Sequence, residues 1–235
     1  MDKLASSENK KQNYSNSASG GLSQFHPNVA KRIVQFYSKK GDWILDPFAG
    51  RVRAMISKMF NRNYCGFEIS KSAYTDLSKR INQQKTLLET GKTILINTDS
   101  RRMNFENKFD MLFSCPPYWN VEDYNKLYKE NITGQLSDLK YYGNFLEAYQ
   151  KIINNCYRAL KYGSFAVWVI NDFVRDGKFI LFHKDTIDCF LKAGFKMHDI
   201  IIRHSKTNVA IKIDISIEHK RMVKEHEFIL VFKKV

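Results

Sequence analysis

The sequence is short of acid. Against 38 lysines and arginines stand 24 aspartates and glutamates, a formal net charge of +14 over 235 residues. An imbalance of that size exceeds what solubility asks of a small domain. It favours an anionic partner, with nucleic acid ahead of a membrane surface; solubilising lysines are the plainer alternative. Cysteine is scarce and scattered: Cys65, Cys115, Cys156 and Cys189 form no Cys-x-x-Cys pair. That argues against a zinc site, predicts no bound metal, and suits a reducing compartment. No apolar run approaches the ~20 residues needed to span a bilayer, so no membrane partner is expected. The opening MDKLASSENKKQNYSNSASGG has no apolar signal segment, and a cytoplasmic location is the expectation. Also missing is any Gly-x-Gly-x-x-Gly, which makes a pyrophosphate ligand a poor fit.

What is present is an alternation. Residues 1–22 are rich in Ser, Asn and Lys and are expected to be a disordered arm. From residue 23 to 235 a single domain is expected. Helical spacing of Val29, Ile33, Val34 and Phe36 opens it. Strand-like segments follow at 43–46, 63–69, 93–97, 109–114, 164–170, 195–203 and 227–234, with helical patterns over 52–60, from Ser70 to about residue 84, over 144–160 and near 183–193. Strands alternating with helices imply an α/β fold, a mostly parallel sheet with helices on both faces. The last two strands are joined without a helical pattern, which predicts an antiparallel C-terminal hairpin. Two segments, 120–142 and 204–225, read as long loops.

The strand ends carry the chemistry. The first ends Asp46-Pro47-Phe48-Ala49-Gly50, the second at Glu68, the third at Asp99, and the fourth in Cys115-Pro116-Pro117-Tyr118-Trp119. In open α/β sheets, ligands bind at the carboxyl ends of the strands. A carboxylate after the second strand can accept both hydroxyls of a ribose, and one after the third can accept from an adenine amino group. Two prolines cannot donate ladder hydrogen bonds, so the fourth strand stops in a stiff corner that presents two flat rings.

These motifs, in this order, resemble the S-adenosylmethionine-dependent DNA methyltransferases that modify the exocyclic amino group of cytosine (N4) or adenine (N6). Asp46–Gly50 matches their Asp-Pro-Phe-Ala-Gly cofactor motif. Cys115–Tyr118 matches their catalytic motif, an Asp, Asn or Ser followed by Pro-Pro and an aromatic. SQFHPNVAKRIVQFY (23–37) matches the turn and helix that precede both. The resemblance covers roughly residues 23–234. It implies a Rossmann-like methyltransferase fold with a seven-stranded sheet, S-adenosylmethionine as cofactor, and a flipped-out base in double-stranded DNA as substrate. By the same resemblance, Asp46, Pro47, Phe48, Ala49 and Gly50 hold the methionine end and Phe25 and His26 close over it. Glu68 holds the ribose, Asp99 the adenine, and Tyr118 stacks on the base. A bacterial or phage-encoded modification enzyme, with or without a restriction partner, fits this picture.

The match departs at Cys115, where a thiol, a weak acceptor, replaces Asp, Asn or Ser. Three readings stay open: Ser114 contributes instead, Cys115 serves as an imperfect Ser with the Pro116 carbonyl as chief acceptor, or catalysis is impaired. Trp119 is either a second base-stacking ring or a core residue. Lys126 in the first long loop and Lys206, Lys212, Lys220 and Arg221 in the second are candidate DNA contacts. With no separate recognition domain visible, a short recognition site or a homodimer that shares the readout is expected. The rivals are an RNA base methyltransferase and a non-catalytic nucleic-acid-binding protein on the same scaffold.

Overall fold

The computed structural model describes residues 25–83, 91–204, 220, 222 and 224–235. The elements run α1 (Pro27–Tyr37), β1 (Trp43–Asp46), α2 (Arg51–Met59), β2 (Asn63–Glu68), α3 (Lys71–Gln83), β3 (Thr93–Asn97), β4 (Phe109–Ser114), α4 (Tyr124–Tyr128), α5 (Tyr142–Ala159), β5 (Leu160–Ile170), β6 (Phe173–Arg175), β7 (Lys178–Ile180), α6 (Phe182–Ala193), β8 (Lys196–His204) and β9 (His226–Lys233). Seven strands form one sheet in the order β3-β2-β1-β4-β5-β9-β8. The first five are parallel, and β9 runs antiparallel to both β5 and β8. Strand order reverses between β1 and β4, which opens a crevice at their carboxyl ends.

Burial on both faces explains why the central strands are continuous apolar runs rather than alternating ones. On one face α1, α2 and α3 place Ala30, Ile33, Val34, Ala54, Ile56, Leu77 and Ile81 against Ile44, Met111, Phe113, Val167 and Val231. On the other, α5 and α6 cover Leu45, Leu112, Ala166, Trp168, Leu230 and Phe232 with Phe145, Tyr149, Ile153, Phe182 and Phe190. Pro27 opens α1 at a position where its missing N–H costs nothing, and His26 Nδ1 caps the helix by accepting from the Asn28 amide at 3.3 Å.

One expectation is corrected, and one element is added. Residues 120–142 are not an irregular loop: a 3-10 turn (Trp119–Val121), α4 and a second turn (Leu136–Asp138) fold them into a roof with Ile132 and Leu136 buried. Its apolar anchors are too few and too irregularly spaced to show a period. The segment after β5 also forms a small hairpin, β6–β7, that short strands of mixed polarity concealed. The expected arm at 1–22 lies outside the described residues, as does most of 204–225, including Lys206, Lys212 and Arg221. Among the described residues no helix is long and apolar enough to cross a membrane.

Glu130 pins the roof. Its carboxylate accepts from the amides of Lys71 and Ser72 at 3.0 Å each and from Ser70 Oγ at 2.8 Å, capping α3 from a distant part of the chain. These bonds, the Ser72 amide first, hold its pKa down to about 2 against an ordinary 4.5. A depressed carboxylate contributes stability above its unfolded pKa and loses it as pH falls through the folded one. Hydrogen exchange at the Lys71 and Ser72 amides is therefore expected to accelerate in Glu130→Ala at neutral pH. In the unmodified chain the same loosening sets in only as pH falls from 4.5 toward 2.

Candidate active site

The acid that ends β1 is the hub of the site. Asp46 is fully buried. Its carboxylate accepts from Arg53 Nε at 2.7 Å, the Tyr64 hydroxyl at 2.7 Å, Ser114 Oγ at 2.6 Å and the Phe48 amide at 3.1 Å. A buried carboxylate needs such partners, because its charge is otherwise far too costly. Four donors from β1's own turn, α2, β2 and β4 thus lock three strands and a helix around the Pro47–Gly50 turn. Asp46 itself faces inward and does not reach the ligand space.

Arg53 is the residue that sequence reasoning passed over. It lies just after the Asp46–Gly50 motif, where a phosphate-cradling loop would want glycine. In the fold it is buried, and Nη2 donates to the Phe48 carbonyl at 2.5 Å. Burial, the largest influence, works against its charge, but Asp46 with Tyr64 and Cys115 together outweigh it and hold its pKa above the ordinary arginine range. The guanidinium lies 5.5 Å from the centre of the Phe25 ring. A side chain at Gly50 would meet that guanidinium at 2.6 Å, so the glycine here makes room for Arg53.

A cavity of about 820 Å³ opens above this hub, within the range of small-molecule sites. Phe25, His26 and the Pro47–Gly50 turn line one part of it, Glu68 and Asp99 another, and Cys115 to Tyr118 a third. Tyr124, Leu127, Tyr128 and Leu136 of the roof close it from above. The sheet therefore brings together every residue expected at the cofactor site except Asp46, which supports the turn from beneath. Burial pushes the Glu68 carboxyl up to about 7, the Ser70 amide opposing. Asp99 is clasped by Arg101, whose Nε lies 2.8 Å from Oδ2 and whose Nη2 also reaches the Gly134 carbonyl at 2.7 Å. Gly134 has φ +89°, and a side chain there would meet that Nη2 at 2.8 Å.

At the proline corner the residues divide. Ser114 is fully buried and committed to Asp46, so it is not a catalytic acceptor. Trp119 is a core residue, 8% exposed, with its indole N–H donating to the Leu139 carbonyl at 2.7 Å, and it offers no surface to nucleic acid. Tyr118 stays half-buried at the cavity wall, its ring parallel to Phe173 of β6 at 6.3 Å and edge-on to Phe182 at 5.8 Å. Burial pushes the Cys115 thiol up to about 11, so it is neutral at physiological pH. Lys126 on α4 and Lys220 are exposed. Further charged groups line the cavity without a sequence signal, among them Glu122, bonded by the Tyr124 hydroxyl, and the Arg203–Glu227 pair from the ends of β8 and β9.

A family model described as DNA methylase matches residues 3–80 and 109–235. The type II methyltransferase M.MthZI of Methanothermobacter thermautotrophicus is 31% identical over 129 residues, which is 54% of this chain and 32% of that protein. The chain thus matches about a third of that relative's length. A SAM-dependent methyltransferase from Methanosarcina mazei superposes with a TM-score of 0.59 at 14% identity, covering 91% of this chain and 99% of its own. The cyclase SpnF superposes with a TM-score of 0.58 at 13% identity over 88% of this chain and 79% of its own. These likenesses establish the Rossmann-like methyltransferase fold. That a cyclase shares it is why the reaction must be argued from the site.

Proposed function

The chain belongs to the DNA methylase family, and on that premise we propose that it transfers a methyl group from S-adenosylmethionine to the exocyclic amino group of a base flipped out of double-stranded DNA, cytosine N4 or adenine N6. The observation that carries this reading is the single cavity that joins Glu68 and Asp99 to the Cys115–Tyr118 corner. Its volume and the Glu68 and Asp99 carboxylates fit a nucleoside with a charged tail, with the Pro47–Gly50 backbone, Phe25 and His26 at the tail. When bound, the cofactor supplies an electrophilic methyl on a sulfonium.

The chain's own residues do the rest. Glu68 accepts from the ribose hydroxyls, and Asp99, oriented by Arg101, accepts from the adenine amino group. Tyr118 receives the target base, which a duplex otherwise hides within its stack. The amino nitrogen is conjugated and gains positive charge as it is methylated, so fixed acceptors on its hydrogens favour the transition state. The Pro116 carbonyl is one such acceptor. The net charge of +14, with Lys126 and Lys220 exposed, suits phosphate contacts that position the duplex without reading it. A cytoplasmic modification enzyme, acting alone or as a homodimer, follows from this reading.

The test is direct. Purified chain, S-adenosylmethionine and unmethylated genomic DNA are incubated, and the DNA is digested to nucleosides for mass spectrometry. N4-methylcytosine or N6-methyladenine is the expected product and identifies the base. No methylated base, with the cofactor bound, would turn the reading toward RNA.

Glu68 gives this reading a pH dependence. Ribose hydroxyls donate to the ionised carboxylate, which burial disfavours below pH about 7. Cofactor affinity is therefore expected to weaken about tenfold from pH 8 to pH 6, one proton being taken up as the ligand leaves. Calorimetry at both pH values measures it, and Glu68→Gln should bind weakly with a flat profile.

A further inference from the structure

The corner lacks a charged acceptor of its own. Ser114 is committed to Asp46, and Cys115 is a neutral thiol. An aminium that forms on the base must still give up a proton. The geometry points to Glu227 as a catalytic residue that accepts a hydrogen bond from the target amino group and takes its proton, the part a carboxylate at position 115 would otherwise play. This inference rests on the methyl-transfer reading above.

The argument is one of placement. β9 runs antiparallel to β5, so its amino end lies beside the carboxyl ends of β4 and β5. Ile229 and Val231 face the α1 side of the sheet, and alternation sends Glu227 to that same side. Cys115 packs against the same cluster. β5 separates the two and the register sets Glu227 two residues beyond the level of Cys115, which puts their backbones about 12 Å apart at ordinary strand spacing and rise. Both residues line the same cavity, as does Val169 of the intervening β5, so an amino group held in that cavity has the Glu227 carboxylate on its wall. Arg203 pairs with Glu227 and holds it in place. Electrostatics agree: after burial and the opposing Arg53, Glu227 comes ahead of Asp46 and Glu122 in raising Cys115. In the step, the sulfonium carbon–sulfur bond breaks with its electron pair going to sulfur. The nitrogen lone pair forms the new carbon–nitrogen bond, and the nitrogen's proton passes to Glu227 and then to water.

Three measurements test it. In unliganded Glu227→Gln, alkylation of Cys115 by iodoacetamide at neutral pH should quicken severalfold, more than in Glu122→Gln; an unchanged rate would show that the carboxylate does not face the thiol. On DNA, Glu227→Gln should lose at least about 10²-fold in kcat with cofactor affinity and 2-aminopurine flipping unchanged. Cys115→Asp in the Glu227→Gln background should restore activity. Full activity in Glu227→Gln overturns the assignment, as does a loss traced to cofactor binding. A wild-type chain that methylates no DNA ends the underlying reading as well; one that methylates beside a fully active Glu227→Gln ends only this one.

Discussion

Asp46→Ala is expected to lower the melting temperature by roughly 6–20 °C and to abolish cofactor binding. The substitution removes one carboxylate but strands three side-chain partners and the Phe48 amide. Arg53 keeps a charge that burial disfavours, and the Tyr64 and Ser114 hydroxyls lose an acceptor. Removing one member of a buried ion pair costs about 3–5 kcal/mol, and for a chain of this length each kcal/mol moves the melting point by about 2–4 °C. Arg53→Met should cost less, because Asp46 retains three donors. The double variant should recover part of the loss seen in Asp46→Ala, since the stranded charge leaves with its partner. Thermal denaturation of the three variants settles this. Equal and additive losses would mean that the pair does not act as a unit.

That hub marks where the sequence was legible and where it was not. β3 and β4 end where their apolar runs end, and β1 runs from Trp43 to Asp46 as its buried run reads. The face of α5 through Phe145, Tyr149, Ile152, Ile153 and Cys156 is buried as its spacing implies. Such elements answer to local periodicity. The role of Asp46 does not: an acid at a strand end reads the same whether it meets a ligand or an arginine. The buried Arg53 of α2, with Tyr64 and Ser114 from the neighbouring strands, turns it inward. The same ambiguity hid Ser114, whose partner is 68 residues away. The roof over the cavity was missed because it is held by single long-range bonds, Glu130 to α3 and Arg101 to Gly134, rather than by a repeating apolar face. Arg203 and Glu227 join the site only through the antiparallel return of β9, which no local pattern reports.

Tyr118→Ala is expected to lower kcat/KM for DNA by about 5- to 150-fold while leaving the affinity for S-adenosylmethionine nearly intact. Stacking of a base on an aromatic ring is worth ~1–3 kcal/mol, which is that range in rate when the contact persists to the transition state. The loss falls on the step that extrudes the base, where stacking on Tyr118 offsets the few kcal/mol of unstacking. The ring is already held on one side, parallel to Phe173 and edge-on to Phe182, so it meets the base pre-positioned. Phe173→Ala should therefore produce a smaller loss of the same kind, by letting the ring tilt. Tyr118→Phe should stay near the unmodified rate. Burial, then the neighbouring Cys115, pushes the phenol well above its ordinary range, so no phenolate takes part at working pH. Steady-state kinetics on duplex DNA, with 2-aminopurine fluorescence to report extrusion, separates these outcomes. A Tyr118→Ala variant that flips and methylates at the unmodified rate would remove the ring from the base pocket. The proline corner would then be left as a strand stop whose aromatics serve the core alone.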